Sequence, residues 1–249
     1  MDRWNNCVAV VTGASCGIGE ACASKLVQAG LRVVALARRA DRLEENHSKF
    51  PIECQERYFP RKCDITNEEE VKATFDWIEE TLGGTDILVN NAGCLREGNI
   101  LDMDSKLIHE VLLTNINGLI YCTQAAFRSM KKRKFDGHLV HINSVCGSNV
   151  ICSGLGTPSF NIYPPSKFAV TALNEIIRQE LNNFGTKIKS TSIHPGLTRT
   201  EIFSPETFSE MGEAILSPES VADTIMYVIS TPPDVLIKDL TVKAVGEVF

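Results

Sequence analysis

The sequence predicts an α/β domain: a doubly wound parallel sheet of about seven strands with helices on both faces. Three observations lead there. Short apolar runs alternate with longer amphipathic ones along the whole chain. The short runs are apolar at nearly every position rather than at every second one, so both faces of each strand must be covered, as in parallel sheets. A glycine-rich turn, "TGASCGIG" (12–19), lies between the first strand and the first helix. With 249 residues and no repeat, low-complexity tract or linker, a single domain over 1–249 is expected.

Taken in order, the strands are expected at "CVAVVTG" (7–13), "RVVALA" (32–37), "ERYFPRKCDI" (56–65), "DILVNNAG" (86–93), "HLVHINS" (138–144), "KIKSTSIHPG" (187–196) and "DVLIKDLTV" (234–242). The helical run "GIGEACASKLVQAG" closes on Gly30 as a C-terminal cap, and "TNEEEVKATFDWIEETLG" opens with Thr66 as its N-cap. "FRSMKKRKFDG" (127–137) ends a helix on four consecutive cations, which complement its dipole and are expected to stay solvated. The stripes Val111, Leu112, Ile116, Leu119 and Leu173, Ile176, Ile177, Leu181 read as core-facing helix sides. Two long loops, at about 145–162 and 197–216, follow strand C-termini, where open α/β sheets place their ligands.

Composition narrows the class. A net charge of -6 argues against a nucleic-acid surface, and no apolar run approaches the roughly 18 to 20 residues that span a bilayer. The start, "MDRWNNCVAVVTGAS", lacks the cationic and then apolar stretch of a signal peptide. Nine cysteines without a C-x-x-C pair read as reduced thiols, so a cytoplasmic location is expected. The five histidines have no zinc-like spacing, so no metal site is expected.

Gly13, Gly17 and Gly19 form a G-x-x-x-G-x-G pattern that permits a tight turn and close approach of backbone to a pyrophosphate at a helix N-terminus. About 20 residues further on, an NAD site offers a carboxylate to the ribose 2′-hydroxyl. Here Ala37 stands in that place, followed by Arg38 and Arg39. Guanidinium groups suit a 2′-phosphate, which favours NADP, with Arg38 as the leading partner and Ser15 as an added hydroxyl. Arg42 reads as a solvated helix residue pairing with Glu44 or Glu45. Asp64 is expected either to accept from an adenine amino group, with Ile65 against the ring, or merely to cap the next helix.

"NIYPPSKFAV" (161–170) poses a local puzzle. Tyr163 and Lys167 sit at i and i+4, which stacks them on one helical face, yet Pro164 and Pro165 lie between them. Prolines are tolerated in a helix's first turn, so a helix is expected to begin abruptly at the tyrosine.

With "TGASCGIG", "NNAG" (90–93), Asn115, Ser144, "YPPSK" (163–167) and "HPG" (194–196) in this order, the chain resembles a short-chain dehydrogenase/reductase over nearly its whole length. "LARRADRLEE" and "NIYPPSKFAVTALNEIIRQEL" are similar to the insect farnesol dehydrogenase-like branch, itself similar to vertebrate cytosolic steroid and carbonyl reductases. The resemblance implies a Rossmann fold, a nicotinamide cofactor and a catalytic set of Asn115, Ser144, Tyr163 and Lys167. Tyr163 matches the proton donor or acceptor, Lys167 its cationic partner, Ser144 the hydroxyl that holds the substrate oxygen and Asn115 the residue that fixes a water leading to the lysine. It also implies that Ile18, Asn90, Ala92, Gly93, Pro195, Gly196, Thr198 and Thr200 line the cofactor, and that the helices bearing the two apolar stripes make a homodimer or homotetramer. A tyrosine with a pKa near 10 is a poor base at neutral pH, so Lys167 is expected to favour the Tyr163 phenolate, with oxidised nicotinamide adding further positive charge.

Tyr163 follows Ser144 by 19 residues, longer than the family's usual interval. The extra segment carries Val150, Ile151, Leu155 and Phe160, and is expected to wall an apolar pocket together with "TRTEIFSPETFSEMGEAIL". The activity that the resemblance implies is NADP-dependent interconversion of a small apolar alcohol with its carbonyl, and likeness to the farnesol dehydrogenase-like branch makes farnesol or another isoprenoid alcohol the leading substrate. A steroid or general carbonyl reductase, and a non-catalytic dinucleotide-binding sensor on the same fold, stay open as alternatives. Cys94, Cys146 and Cys152 border the expected pocket but read as packing, because hydride chemistry needs no thiolate.

Overall fold

Each apolar run of the sequence forms a short strand: β1 (Val8–Thr12), β2 (Arg32–Ala37), β3 (Tyr58–Lys62), β4 (Ile87–Asn90), β5 (His138–Ile142), β6 (Lys189–Pro195) and β7 (Asp239–Val242). The computed structural model describes residues 1–151, 160–203 and 214–247. The strands form one sheet in the order β3-β2-β1-β4-β5-β6-β7, and every pairing is parallel. All seven lie inside the stretches expected from the sequence.

The helices are α1 (Gly17–Gln28), α2 (Ala40–Ser48), α3 (Ile52–Gln55), α4 (Glu68–Leu82), α5 (Ser105–Leu112), α6 (Leu119–Arg133), α7 (Tyr163–Asn183) and α8 (Pro218–Ser230). Strand alternation divides the interior into two cores. Ala9, Val11, Val33 and Ala35 pack with Cys22 and Leu26 of α1 and with Ala222 and Ile225 of α8. Val8, Val10, Val34 and Leu36 pack on the other face with Ile78 of α4, Met130 of α6 and Leu181 of α7. No helix among the described residues is long and apolar enough to cross a membrane.

Local chemistry sets the helix ends. Gly30 follows α1 with φ +90, the left-handed conformation expected of a residue that terminates a helix. The cap of α4 is Asn67, not Thr66: its side chain accepts from the amides of Glu69 and Glu70 at 3.0 and 3.3 Å. Thr66, one residue before that cap, instead turns back to Asp64. The cations ending α6 are not all solvated, because Arg133 donates to Asp86 at 2.8 Å and to the Thr85 carbonyl at 2.5 Å.

α7 begins at Tyr163. Its first intrahelical bond runs from the Ser166 amide to the Ile162 carbonyl at 3.0 Å. Pro164 and Pro165 thus occupy the two positions before that bond, where an amide would have no acceptor. α5 passes into α6 through a π-helical turn, Leu113–Gly118, which holds Asn115. Such turns displace one side chain from the helical register.

His138 and His141 lie in β5 with almost no exposure, and burial lowers their pKa values to about 3 and about 4. Both folded values lie below the unfolded value near 6.5, so the unfolded chain binds more protons between pH 6.5 and 4. Stability is therefore expected to be fully present above pH 6.5 and to fall as pH drops through that window, at up to about 1.4 kcal/mol per pH unit for each histidine. Urea unfolding across the window checks this, and His141→Gln should flatten the slope.

Candidate active site

The strand order reverses direction between β1 and β4, and the loops leaving the C-terminal ends of the strands enclose one cleft of about 420 Å³. After β1 it is lined by Gly13, Ser15, Gly17 and Ile18; after β2 by Ala37, Arg38 and Arg39; after β3 by Asp64 and Ile65. Ala92 and Gly93 follow β4, Ser144 follows β5, and Tyr163 and Lys167 enter from α7. Pro195, Gly196, Thr198 and Thr200 close the far wall after β6.

Two of the glycines are required by backbone conformation: Gly13 has φ +66, with Ala92 Cα only 2.8 Å from where a Cβ would stand, and Gly17 has φ +59. Gly19 is different and does not line the cleft. A Cβ there would collide with the Gly13 carbonyl and the Asn91 amide, so this glycine lets α1 pack against the turn. No side chain caps the first turn of α1, so its amides face the cleft as an anion-binding end.

At the Arg38 end, the structure redistributes the expected roles. Arg39 reaches Ser15 Oγ through Nη2 at 3.0 Å and Nε at 3.3 Å, while Arg38 lines the cleft beside it. Arg42 does not pair with Glu44 or Glu45: it joins Arg39 on the carboxylate of Glu201, at 2.5 and 2.8 Å. Asp64 lines the cleft, but one of its carboxylate oxygens accepts from both the amide and the hydroxyl of Thr66, so it shapes the loop after β3.

Asn90 is displaced from the expected site. It is the last residue of β4, and its amide donates to Thr123 Oγ1 at 2.8 Å and lies 3.1 Å from His141 Nδ1, beneath the sheet. Asn91, one residue beyond the strand, takes the cleft position and donates to the carbonyls of Thr12 and Gly13. The signal was the strand end itself, because the first residue past it leaves the alternation.

At the other end, Lys167 Nζ donates to the Ile142 carbonyl at 2.9 Å and lies 5.5 Å from the centre of the Tyr163 ring. Both residues are buried. Burial pushes the Tyr163 phenol above its ordinary range and lowers the Lys167 ammonium to about 8; the Ser144 side chain pulls the phenol partly back. In the chain by itself, burial thus opposes the phenolate that Lys167 is expected to favour. Ser144 Oγ also accepts from the Cys146 amide at 3.1 Å.

Asn115 does not line the cleft. It braces it: Oδ1 accepts from the Cys94 amide at 2.9 Å, and Nδ2 donates to the Cys94 carbonyl and Ser166 Oγ, each at 3.0 Å. The loop after β4 is thereby tied to the start of α7. His194 is buried against the Ser144 carbonyl, as a packed ring. Gly196 leaves room for the carboxylate of Glu247, which a Cβ there would strike. Neither Glu247 nor Glu201 carried any local signal in the sequence.

Leu95, Val145, Cys146, Ile151, Phe160 and Tyr163 form an apolar cluster, with Ile202 and Phe203 against it. Of the expected pocket wall, Ile151 and Phe160 take part, Val150 is exposed, and Leu155 and Cys152 lie outside the described residues. Burial raises the thiols of Cys94 and Cys146, which keeps them protonated and inert. Among the described residues no cluster suited to a metal ion occurs. The cleft fits an extended dinucleotide: an uncapped helix end and cations lie at one side, a phenol and an ammonium at the other.

Residues 7–210 match the protein-family model described as short chain dehydrogenase. The chain is 50% identical to the farnesol dehydrogenase of Aedes aegypti over 250 residues, an alignment that covers all of both proteins. It is 37% identical over 262 residues to dehydrogenase/reductase SDR family member 11 of Mus musculus, covering all of this chain and 98% of the other. Among solved structures, the closed form of a serine dehydrogenase complexed with NADP+ matches with a TM-score of 0.85 at 26% identity, covering 97% of this chain and 96% of that one.

Asn115→Ala would strand the Cys94 amide and carbonyl beneath the cleft. A loss of about 2–3 kcal/mol in unfolding free energy is expected by urea denaturation.

Proposed function

The chain belongs to the short-chain dehydrogenase family, and from that premise we propose that it is an NADP-dependent oxidoreductase interconverting an apolar alcohol with its carbonyl. The single observation that carries this reading is the buried Tyr163–Lys167 pair on one face of α7, in the same cleft as Ser144 and the glycine turn. Farnesol or another isoprenoid alcohol is the leading substrate. The full-length similarity to a farnesol dehydrogenase supports that choice, as does the apolar cluster around Phe160, Phe203 and Ile202 beside the tyrosine.

The bound dinucleotide supplies hydride exchange at its nicotinamide ring. The chain's own task is the proton left at the substrate oxygen. Ser144 offers a hydroxyl to hold that oxygen, and Tyr163 takes the proton in oxidation or returns it in reduction. Burial works against the phenolate, so the positive charge of Lys167 must be joined by that of the oxidised ring. The ammonium is the dominant form of Lys167 below about pH 8. Apolar side chains pack around Tyr163, and in such surroundings these interactions are stronger than in water.

Several features support the accompanying details. Arg38, Arg39 and Ser15 cluster where an NAD site would offer a carboxylate, which supports NADP. Phe168 and Ile176 of α7 and Leu107 of α5 are exposed apolar side chains on the helices assigned to a homodimer or homotetramer. A cytoplasmic placement accords with the eight described cysteines, all of them free.

Tyr163→Phe is expected to abolish turnover on a panel of farnesol, geraniol, short alcohols, steroids and dicarbonyls while dinucleotide affinity stays within about twofold. Retained turnover would remove the tyrosine from the mechanism. Phenolate absorbance that Tyr163→Phe eliminates should appear at lower pH with the oxidised dinucleotide bound than in the free chain. Arg38→Asp and Arg39→Asp should each weaken NADPH about tenfold more than NADH, by fluorescence titration, and an unchanged ratio would overturn the cofactor assignment.

A further inference from the structure

The carboxylate of Glu201 is the only acidic group that Arg39 and Arg42 share among the described contacts. Oε2 lies 2.8 Å from Arg39 Nη1, and Oε1 lies 2.5 Å from Arg42 Nη1. The hydrogen bonds from the two arginines hold the Glu201 carboxyl at about 2, far below the usual range, so it is a full anion at any working pH. Two guanidinium groups converging on two anionic oxygens are also the arrangement that receives a phosphate monoester. The remaining donors of Arg39 reach Ser15 Oγ and, at 2.9 Å, Cys16 Sγ, so the same guanidinium already faces the phosphate turn.

Glu201 arrives there from the other side of the cleft. It follows Thr200, whose methyl group would be 3.0 Å from a Cβ on Gly17. The next two residues, Ile202 and Phe203, belong to the apolar cluster around Tyr163. Phe203 lies 5.8 Å from Phe160, centre to centre, and Phe160 lies 6.5 Å from Tyr163. One short segment therefore carries a counter-anion at the cofactor end and part of the substrate wall at the other.

Resting on the NADP reading for where a 2′-phosphate lies, we propose that Glu201 is a specificity-determining residue that competes with that phosphate for Arg39 and Arg42. With the phosphate absent, the carboxylate neutralises the two arginines. With it present, the more highly charged phosphate takes Arg39 and Arg42 and the carboxylate gives way, which frees Glu201 from its tie to α2. NADH brings no such competitor and leaves the bridge intact. The bridge is half exposed, with Arg39 and Glu201 side chains 43% and 53% accessible, so solvent screens it and the competition is modest.

The experiment is a titration of the purified full chain and its Glu201→Gln variant with NADPH and NADH, followed by fluorescence or calorimetry rather than turnover. Glu201→Gln is expected to tighten NADPH by about three- to tenfold while NADH stays within about twofold. The gain should shrink when Arg39→Ser is introduced in the same chain, since the two sites are in contact. An NADPH-to-NADH affinity ratio that stays the same or falls in the variant overturns the proposal. So does a ratio that rises only because NADH is lost, which would make Glu201 an acceptor for the ribose hydroxyl. Should Glu201→Gln fold poorly, Glu201→Ala titrated with 2′,5′-ADP and 5′-AMP gives the same comparison. Under competition the variant binds 2′,5′-ADP about three- to tenfold more tightly than the unaltered chain while 5′-AMP stays within about twofold, and equal changes count against it. The NADP reading is scored separately, by whether the unaltered chain binds NADPH more tightly than NADH; the role of Glu201 is scored by the change in that ratio.

Discussion

The bond of 2.9 Å from Lys167 Nζ to the Ile142 carbonyl is the constraint around which the rest of the cleft is arranged. It joins the N-terminal part of α7 to the last residue of β5 and places a cation beneath the point where the sheet's loops meet. A lysine buried this deeply must satisfy its donors with fixed acceptors, and a carbonyl at a strand's C-terminal end has a free lone pair. Once the ammonium is set there, Tyr163 can only lie above it, because one helical turn separates the two. Asn115 completes the brace by tying the loop after β4 to Ser166 on the same turn. The π-helical turn that holds Asn115 is the local distortion that aims it there.

This arrangement is electrostatically expensive in the free chain. Burial drives the phenol and the ammonium toward their neutral forms, in opposite directions on the pH scale. A site with one buried cation and a reluctant phenol is poised to respond to the arrival of further positive charge. In the proposed function, its acid–base behaviour belongs to the chain and its dinucleotide jointly. The opposite end of the cleft has the converse character: exposed, densely cationic, and already balanced by a carboxylate from the chain itself. The segment after β6 touches both ends, so the two are mechanically adjacent although the dinucleotide's length separates them.

Particular residues show where reading along the chain succeeded and where it stopped. The strands were legible because a buried parallel strand has no polar face to offer, and the start of α7 was legible because two adjacent prolines fit a helix only before its first bond. Thr66 and Asn90 were each wrong by one position. Both lie at element ends, where a one-residue shift exchanges a cap for a turn or a core face for the cleft, and propensity does not distinguish neighbours so similar. Arg42 was assigned to its own helix because Glu44 and Glu45 stood close by in sequence, yet its actual partner is 159 residues away.

The sequence by itself determined the sheet, the glycine turn, the helical register of Tyr163 and Lys167 and the family to which the chain belongs. The first three follow from short-range sterics and apolar periodicity, which are written in consecutive residues; the family follows from the likeness of the ordered motifs to known members. Only the tertiary structure decided that Asn91 rather than Asn90 faces the cleft, that Asn115 is a brace, that Glu201 bridges the arginines and that burial raises the phenol of Tyr163. Those outcomes depend on which distant groups are brought within a few ångströms and on how much water remains between them. Neither distance nor desolvation is a property of a residue's place in the chain; both arise when the chain closes on itself.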